Sequence, residues 1–240
     1  MPVGNLSGWT QVFTEDFTTP AALGSFAGIY LNNPANNWAW GSYDGGTDTS
    51  GHGLYDSSKV LSVSGSVLDY YVHTESGTHY VAAIRPWYGH GPQGGTIYGR
   101  CSVRFRSDPV YGYKIAWLLW PDSNVSPRDG EIDWPEANLD NTIFGTNHAL
   151  NLTGTDINDW FDSGVSLSGG WHTAVIEWTP GSIVMILDGV VKHTYTDYIP
   201  STEMHWVLQA ETNLDGWEPT DNTAAGHLQI DWTVVYSYSP

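Results

Sequence analysis

Residues 171–196, WHTAVIEWTPGSIVMILDGVVKHTYT, set the tightest limit on what this chain can fold into. Apolar and polar residues alternate along them, and two turn signals, Pro180-Gly181 and Asp188-Gly189, cut the stretch into three runs. Successive side chains of a β-strand point to opposite faces, so alternation marks a strand with one buried face. Asp-Gly between alternating runs is a strong hairpin signal. The spacing predicts a three-stranded meander. Similar runs occur at 60–73, broken at Ser64-Gly65, and at 78–87, 97–108, 113–121, 142–151, 203–213 and 227–239. Long stretches with apolar residues three and four apart, the mark of a helix, are missing. Many short strands joined by Gly, Pro, Asn and Asp predict an all-β, antiparallel two-sheet sandwich.

No linker-like shift in composition and no internal repeat divides the 240 residues, so residues 1–240 are expected to form a single domain. The 8 basic and 26 acidic residues give a net charge of −18. A field of that sign repels nucleic acid, anionic membranes and polyanionic ligands, sulfated glycans among them. No apolar run reaches the length of a membrane span. The lone cysteine, Cys101, excludes an internal disulfide and reads as a strand residue. Met1 is followed by PVGNLSGW rather than by a basic and then apolar leader. Thirteen Trp and fourteen Tyr suit both a sandwich core and a sugar-stacking surface. The polar, Gly-rich loop at 32–53 carries Trp38, Trp40 and Tyr43, which fit either a carbohydrate rim or a plug folded back on the domain.

Chemistry concentrates in RDGEIDWPEAN, residues 128–138. Glu131 and Asp133 share a strand face, whereas Glu136 lies an odd number of residues from Glu131. A β-bulge adds one residue and restores the phase. Pro135, which cannot donate to a strand ladder, marks the place for one. Three acids on one face repel each other, which a purely structural strand gains nothing from. A retaining glycosidase needs such a set, with one ionised nucleophile and one protonated acid. An acidic loop or a calcium site is the competing reading, although Trp134-Pro135 does not fit the usual calcium loop.

The motif EIDWPE resembles the Glu-x-Asp-x-x-Glu signature of family 16 glycoside hydrolases, the laminarinase and lichenase clan. The segments at 9–17, 98–121, 171–191 and 228–238 are similar to others of that family, in the same order. The resemblance implies a jelly-roll of the concanavalin A-like kind, and a glycan cleft crossing one sheet. It implies Glu131 as nucleophile, Glu136 as acid/base, and Asp133 as the residue that orients the nucleophile. The bulged spacing is similar to that of the laminarinase-like branch, which implies retaining endo-hydrolysis of a β-1,3- or mixed β-1,3/1,4-glucan. Trp134-Pro135 and Ala137-Asn138 depart from that branch and leave a β-galactan, a transglycosylase and a non-catalytic glycan-binding protein as alternatives. By position in the resemblance, Arg100, Trp117 and His148 are expected to contact substrate, as are Trp40 of the polar loop and Trp134 of the motif. Trp117 is preferred to Trp120, which has the opposite phase. Catalysis is expected to need no cofactor. Asp231 would bind a structural calcium or, alternatively, be charge-paired. A secreted monomer acting on polysaccharide is the expectation.

Overall fold

The alternating runs form strands that build two sheets. The computed structural model describes residues 1–31, 40–213 and 222–240. Along the first half run β1 (Trp9–Glu15), the one-turn helix α1 (Phe26–Ile29), β2 (Trp40–Ser42), β3 (Gly53–Tyr55), the one-turn α2 (Ser57–Val60), β4 (Leu61–Ser64), β5 (Val67–Glu75), β6 (Thr78–Pro86), β7 (Gly99–Ser107) and β8 (Tyr113–Pro121). The second half holds β9 (Glu131–Asn138), β10 (Thr142–His148), β11 (Asp159–Ser166), β12 (His172–Thr179), β13 (Ser182–Leu187), β14 (Val190–Tyr195), β15 (Met204–Thr212) and β16 (Ala225–Tyr238). The expected meander is β12-β13-β14, with its turns at the predicted dipeptides. β11 was not expected, because its sequence, DWFDSGVS, is too polar to show alternation.

One sheet has the order β11-β10-β9-β8-β15-β6, with β2 added on β6. The other has the order β5-β16-β7-β12-β13-β14, with β1 on β16 and β4 on β5. β6 serves both sheets: Ala82 and Ile84 pair with β15, while Thr78 and Tyr80 pair with β5. The sandwich is therefore closed on the β6 side.

Inward-facing residues from both sheets make one core. Tyr113, Ile115, Trp117 and Leu119 come from β8, Ile132 and Trp134 from β9, and Val103 and Phe105 from β7. Trp117 meets Phe105 edge-on with ring centroids 4.9 Å apart. Buried indoles need a partner for their N–H: Trp134 donates to Ile186 O at 3.2 Å and Trp178 to Pro200 O at 2.9 Å. Among the described residues, no helix is long and apolar enough to cross a membrane.

Candidate active site

The β9 ladder contains the expected extra residue. Asp133 lies opposite Leu118 of β8 and Thr146 of β10. Glu136 lies opposite Ala116 and Phe144. Three residues of β9 thus span two on each neighbour, which is the register of a bulge. The step returns Glu136 to the face of Asp133 and Glu131. Trp134 enters the core against Phe161, with ring centroids 5.4 Å apart. Gly145 of β10 leaves room for it: a Cβ there would sit 2.9 Å from the Trp134 ring and 2.7 Å from Met185 Sδ.

The acid-bearing face points away from the core yet is recessed, since Lys114, Ala116, Leu118, Asp133 and Thr146 are all buried. Part of the 43–55 segment covers it. Tyr43 OH lies 3.0 Å from His205 Nε2, Thr49 Oγ1 donates to Glu211 Oε1 at 2.8 Å, and Ser50 Oγ lies 2.6 Å from Thr212 Oγ1. Between this cover and the acids is a pocket of about 220 Å³, lined by Tyr43, Thr49, Leu118, Trp120, Glu131 and Gln209 with Val207.

Glu131, Asp133 and His148 each bring one polar atom within 4.8 Å of the other two. Burial, then the charges of Glu131 and Glu136, push the Asp133 carboxyl well above the usual range. Its carboxyl is hydrogen-bonded to that of Glu131. Burial also raises Glu131, opposed by the Ser126 hydroxyl, by His148 and by that shared bond. Ser126 Oγ donates to Glu131 Oε2. His148 Nε2 lies 3.5 Å from Asp133 Oδ2, and its Nδ1 is 2.8 Å from Asp156 Oδ2. On the other flank Lys114 Nζ is 2.8 Å from Glu136 Oε1.

The structure therefore brings together Glu131, Asp133, Glu136 and His148, as expected. It moves the other candidates elsewhere. Trp117 points into the core, and Ala116, Leu118 and Trp120 face the cleft, so the expected phase of β8 is inverted. Trp134 is the core-facing residue of the bulge. Trp40 is 1% exposed, packed on Phe13 and Phe17 at 5.4 and 5.9 Å. Arg100 lies on β7 in the opposite sheet, its Nε donating to Glu177 Oε1 at 2.9 Å. Asp231 is charge-paired with Arg104 at 2.5 Å, in line with the competing reading of that residue. Trp38 lies outside the described residues.

Residues that sequence reasoning passed over also reach this face. Lys114 was legible as a lone cation on the outward phase of an apolar strand. Trp160 lies opposite Thr146, itself opposite Asp133, and is 55% exposed. Ser126, Asp156 and Glu211 had no sequence signal.

A model of glycosyl hydrolases family 16 matches residues 93–234. The chain belongs to glycoside hydrolase family 16. Among this family 16 chain's relatives, a β-glucanase of Paenibacillus macerans is 31% identical over 148 residues, covering 54% of this chain and 62% of that protein. A β-glucanase of Bacillus subtilis (strain 168) is 33% identical over 126 residues, covering 50% of each. The family 16 chain thus spans less than two thirds of the length of these relatives. The laminarinase from Rhodothermus marinus superimposes with a TM-score of 0.74 at 20% identity, covering 97% of this chain and 98% of that one. A structure from work on endo-acting O-glycanases, with which members of the human gut microbiota initiate mucin breakdown, gives a TM-score of 0.78 at 18% identity, covering 99% and 94%. At such identities the likeness is one of fold, a jelly-roll sandwich.

Proposed function

We propose that this chain is a retaining, endo-acting hydrolase of a β-linked glucan, with a β-1,3- or mixed β-1,3/1,4-glucan as its substrate. The observation that carries this reading is the bulge, which sets Glu131, Asp133 and Glu136 on one recessed face beside the Trp120-lined pocket. Retaining glycosidases hold two carboxyls about 5–5.5 Å apart. Two long glutamates flanking a shorter aspartate suit that reach. Glu131 attacks the anomeric carbon and forms a glycosyl ester, while Glu136 gives its proton to the departing glycosidic oxygen. Glu136 then takes a proton from the water that hydrolyses the ester. Asp133, protonated between them, donates to Glu131 and orients it.

Apart from the acids, the uncharged lining of the pocket supports a neutral glycan. Trp120 supplies a flat apolar face, and Tyr43, Thr49 and Gln209 supply hydroxyl and amide groups. The names of the β-glucanase relatives support a glucan. One protomer carries the whole acid set, and its polymeric substrate is met outside the cell, so the same reading makes the protein a secreted monomer. Incubation with laminarin, mixed-linkage glucan, xyloglucan and a β-galactan, with products sized, tests the reading. Short oligosaccharides of several lengths released early from laminarin or mixed-linkage glucan are expected. Cleavage of the galactan alone would overturn the substrate assignment, and ligation of acceptor sugars in place of hydrolysis would overturn the reaction.

A further inference from the structure

Lys114 is unusual for its surroundings. It is a buried cation on the outward face of β8, between Ile115-flanked core positions and the acidic cleft. Its ammonium lies 2.8 Å from Glu136 Oε1 and 3.8 Å from Glu211 Oε2. Glu211 is 0% exposed and held rigidly from its far side. Its Oε1 accepts from Thr49 N at 3.1 Å, Thr49 Oγ1 at 2.8 Å and Tyr55 OH at 2.6 Å. Its Oε2 is buried with no hydrogen-bond partner. A buried carboxylate oxygen without a donor is costly. Among the described residues, the one cation in ion-pair reach of it is Lys114, which is already committed to Glu136.

We propose that Lys114 is a positioning residue shared between two carboxylates: it pairs with Glu136 while that carboxylate is ionised, and passes to the vacant Oε2 of Glu211 whenever Glu136 carries its proton. The inference rests on the reading of Glu136 as acid/base. In the first half-reaction the Glu136 proton goes to the glycosidic oxygen, and the new carboxylate draws Lys114 to itself. In the second half-reaction Glu136 removes a proton from water, and Lys114 moves toward Glu211. Lys114 stays an ammonium throughout and transfers no proton. Burial opposes its charge, but Glu136 and Glu211 more than offset this, leaving its pKa above the ordinary lysine value. Among the described residues, the other ionisable groups facing this pair are Asp133 and Glu131 on β9, His148 on β10, Asp162 on β11, and Tyr55, which burial and Glu211 keep protonated.

Two variants then shift the pH profile in opposite directions. Lys114→Met removes the cation that favours ionised Glu136, so the alkaline limb of kcat/KM is expected to move up by about one to three pH units. Glu211→Gln leaves Lys114 to Glu136 alone, so the limb is expected to move down. A structural role alone would lower activity in both variants without opposed shifts. Nitrogen NMR of the Lys114 ammonium adds a readout that needs no substrate: its resonance should shift as pH falls through the carboxylate range, and Glu136→Gln should abolish that shift. An unmoved alkaline limb in folded Lys114→Met, shifts of the same sign in both variants, or a pH-insensitive ammonium signal would overturn the proposal. A chain that cleaves no glycan but shows the Glu136-dependent shift would overturn the hydrolase reading while leaving the ion-pair exchange in place.

Discussion

The two outer faces of the sandwich follow the same alternation but treat charge differently. On the sheet of β7, β12 and β16, the outward arginines each bond one side chain of a neighbouring strand. Arg100 meets Glu177 at 2.9 Å, Arg104 meets Asp231 at 2.5 Å, and Arg106 bonds Gln229 at 2.7 Å. Solvent reaches these groups, and such pairs contribute little. On the sheet of β8, β9 and β15, the carboxyls of Glu131, Asp133, Glu136 and Glu211 gather around Lys114 and His148 under partial or complete burial. β7 pairs with β12 in unbroken register from His172 to Trp178, whereas β9 is shifted against both neighbours. Both sheets carry bulges, β16 against β7 at Asp231 among them, but unbalanced, desolvated charge lowers stability, so its gathering on the β9 face marks that face as the one that does chemistry.

The largest effect expected from breaking this contrast belongs to Glu131→Gln. Turnover should fall by about a thousandfold or more, the scale of losing an essential reacting group, with melting temperature and glycan binding preserved. Retention of most of the parent's activity would strip the acidic face of its special status. Next comes Gly145→Ala. The added methyl meets Trp134, Phe161 and Met185, and is expected to cost about 1–3 kcal/mol in chemical denaturation. Gly170→Ala, where nothing lies within 4 Å, serves as the near-neutral control.

Asp133→Asn gives a pH-dependent effect. Because the folded state raises this carboxyl, its favourable contribution is complete below the unfolded value of 3.8 and is lost as pH rises through the folded value. The variant should therefore melt higher than the parent in neutral buffer, with the gap closing as pH falls toward 4, while its activity drops. A gap independent of pH would mean that Asp133 is not strained by its neighbours. The smallest effect is expected from Glu177→Gln on the opposite face: less than about 1 kcal/mol, and no change in activity. A large loss of activity there would erase the distinction between the faces.

How far the sequence could be read depended on how the chain encodes each feature. Pro135 announced the bulge because a residue without an N–H fits a ladder only where the ladder is interrupted. The meander was legible because its turns carry Gly. The phase of β8 was not: in YKIAWLLWP both faces are apolar, one for the core and one for the roofed cleft, so periodicity alone gives no direction. Lys114 was the clue, since a cation belongs with the acids and fixes Ala116, Leu118 and Trp120 on its side. Trp40 misled because a tryptophan in a polar loop looks like a rim, and only three-dimensional packing shows the ring turned inward. Arg100 and Asp231 were placed by resemblance, and the opposite sheet already supplies each with a charge partner. Ser126, Asp156 and Glu211 act through contacts between distant segments, which no local pattern records.

The place of β16 also bears on how the molecule is made. It follows every other described strand in sequence, yet it lies between β5 and β7, with β1 paired alongside. Until it emerges from the ribosome, the sheet opposite the catalytic strand has a gap at its centre, and β5 and β7 present unpaired edges. The nascent domain therefore carries its acids long before it has a closed scaffold to hold them. Its cleft becomes functional only once β16 has been made, and a chain stopped before residue 225 is expected to be a substrate for chaperones and proteases.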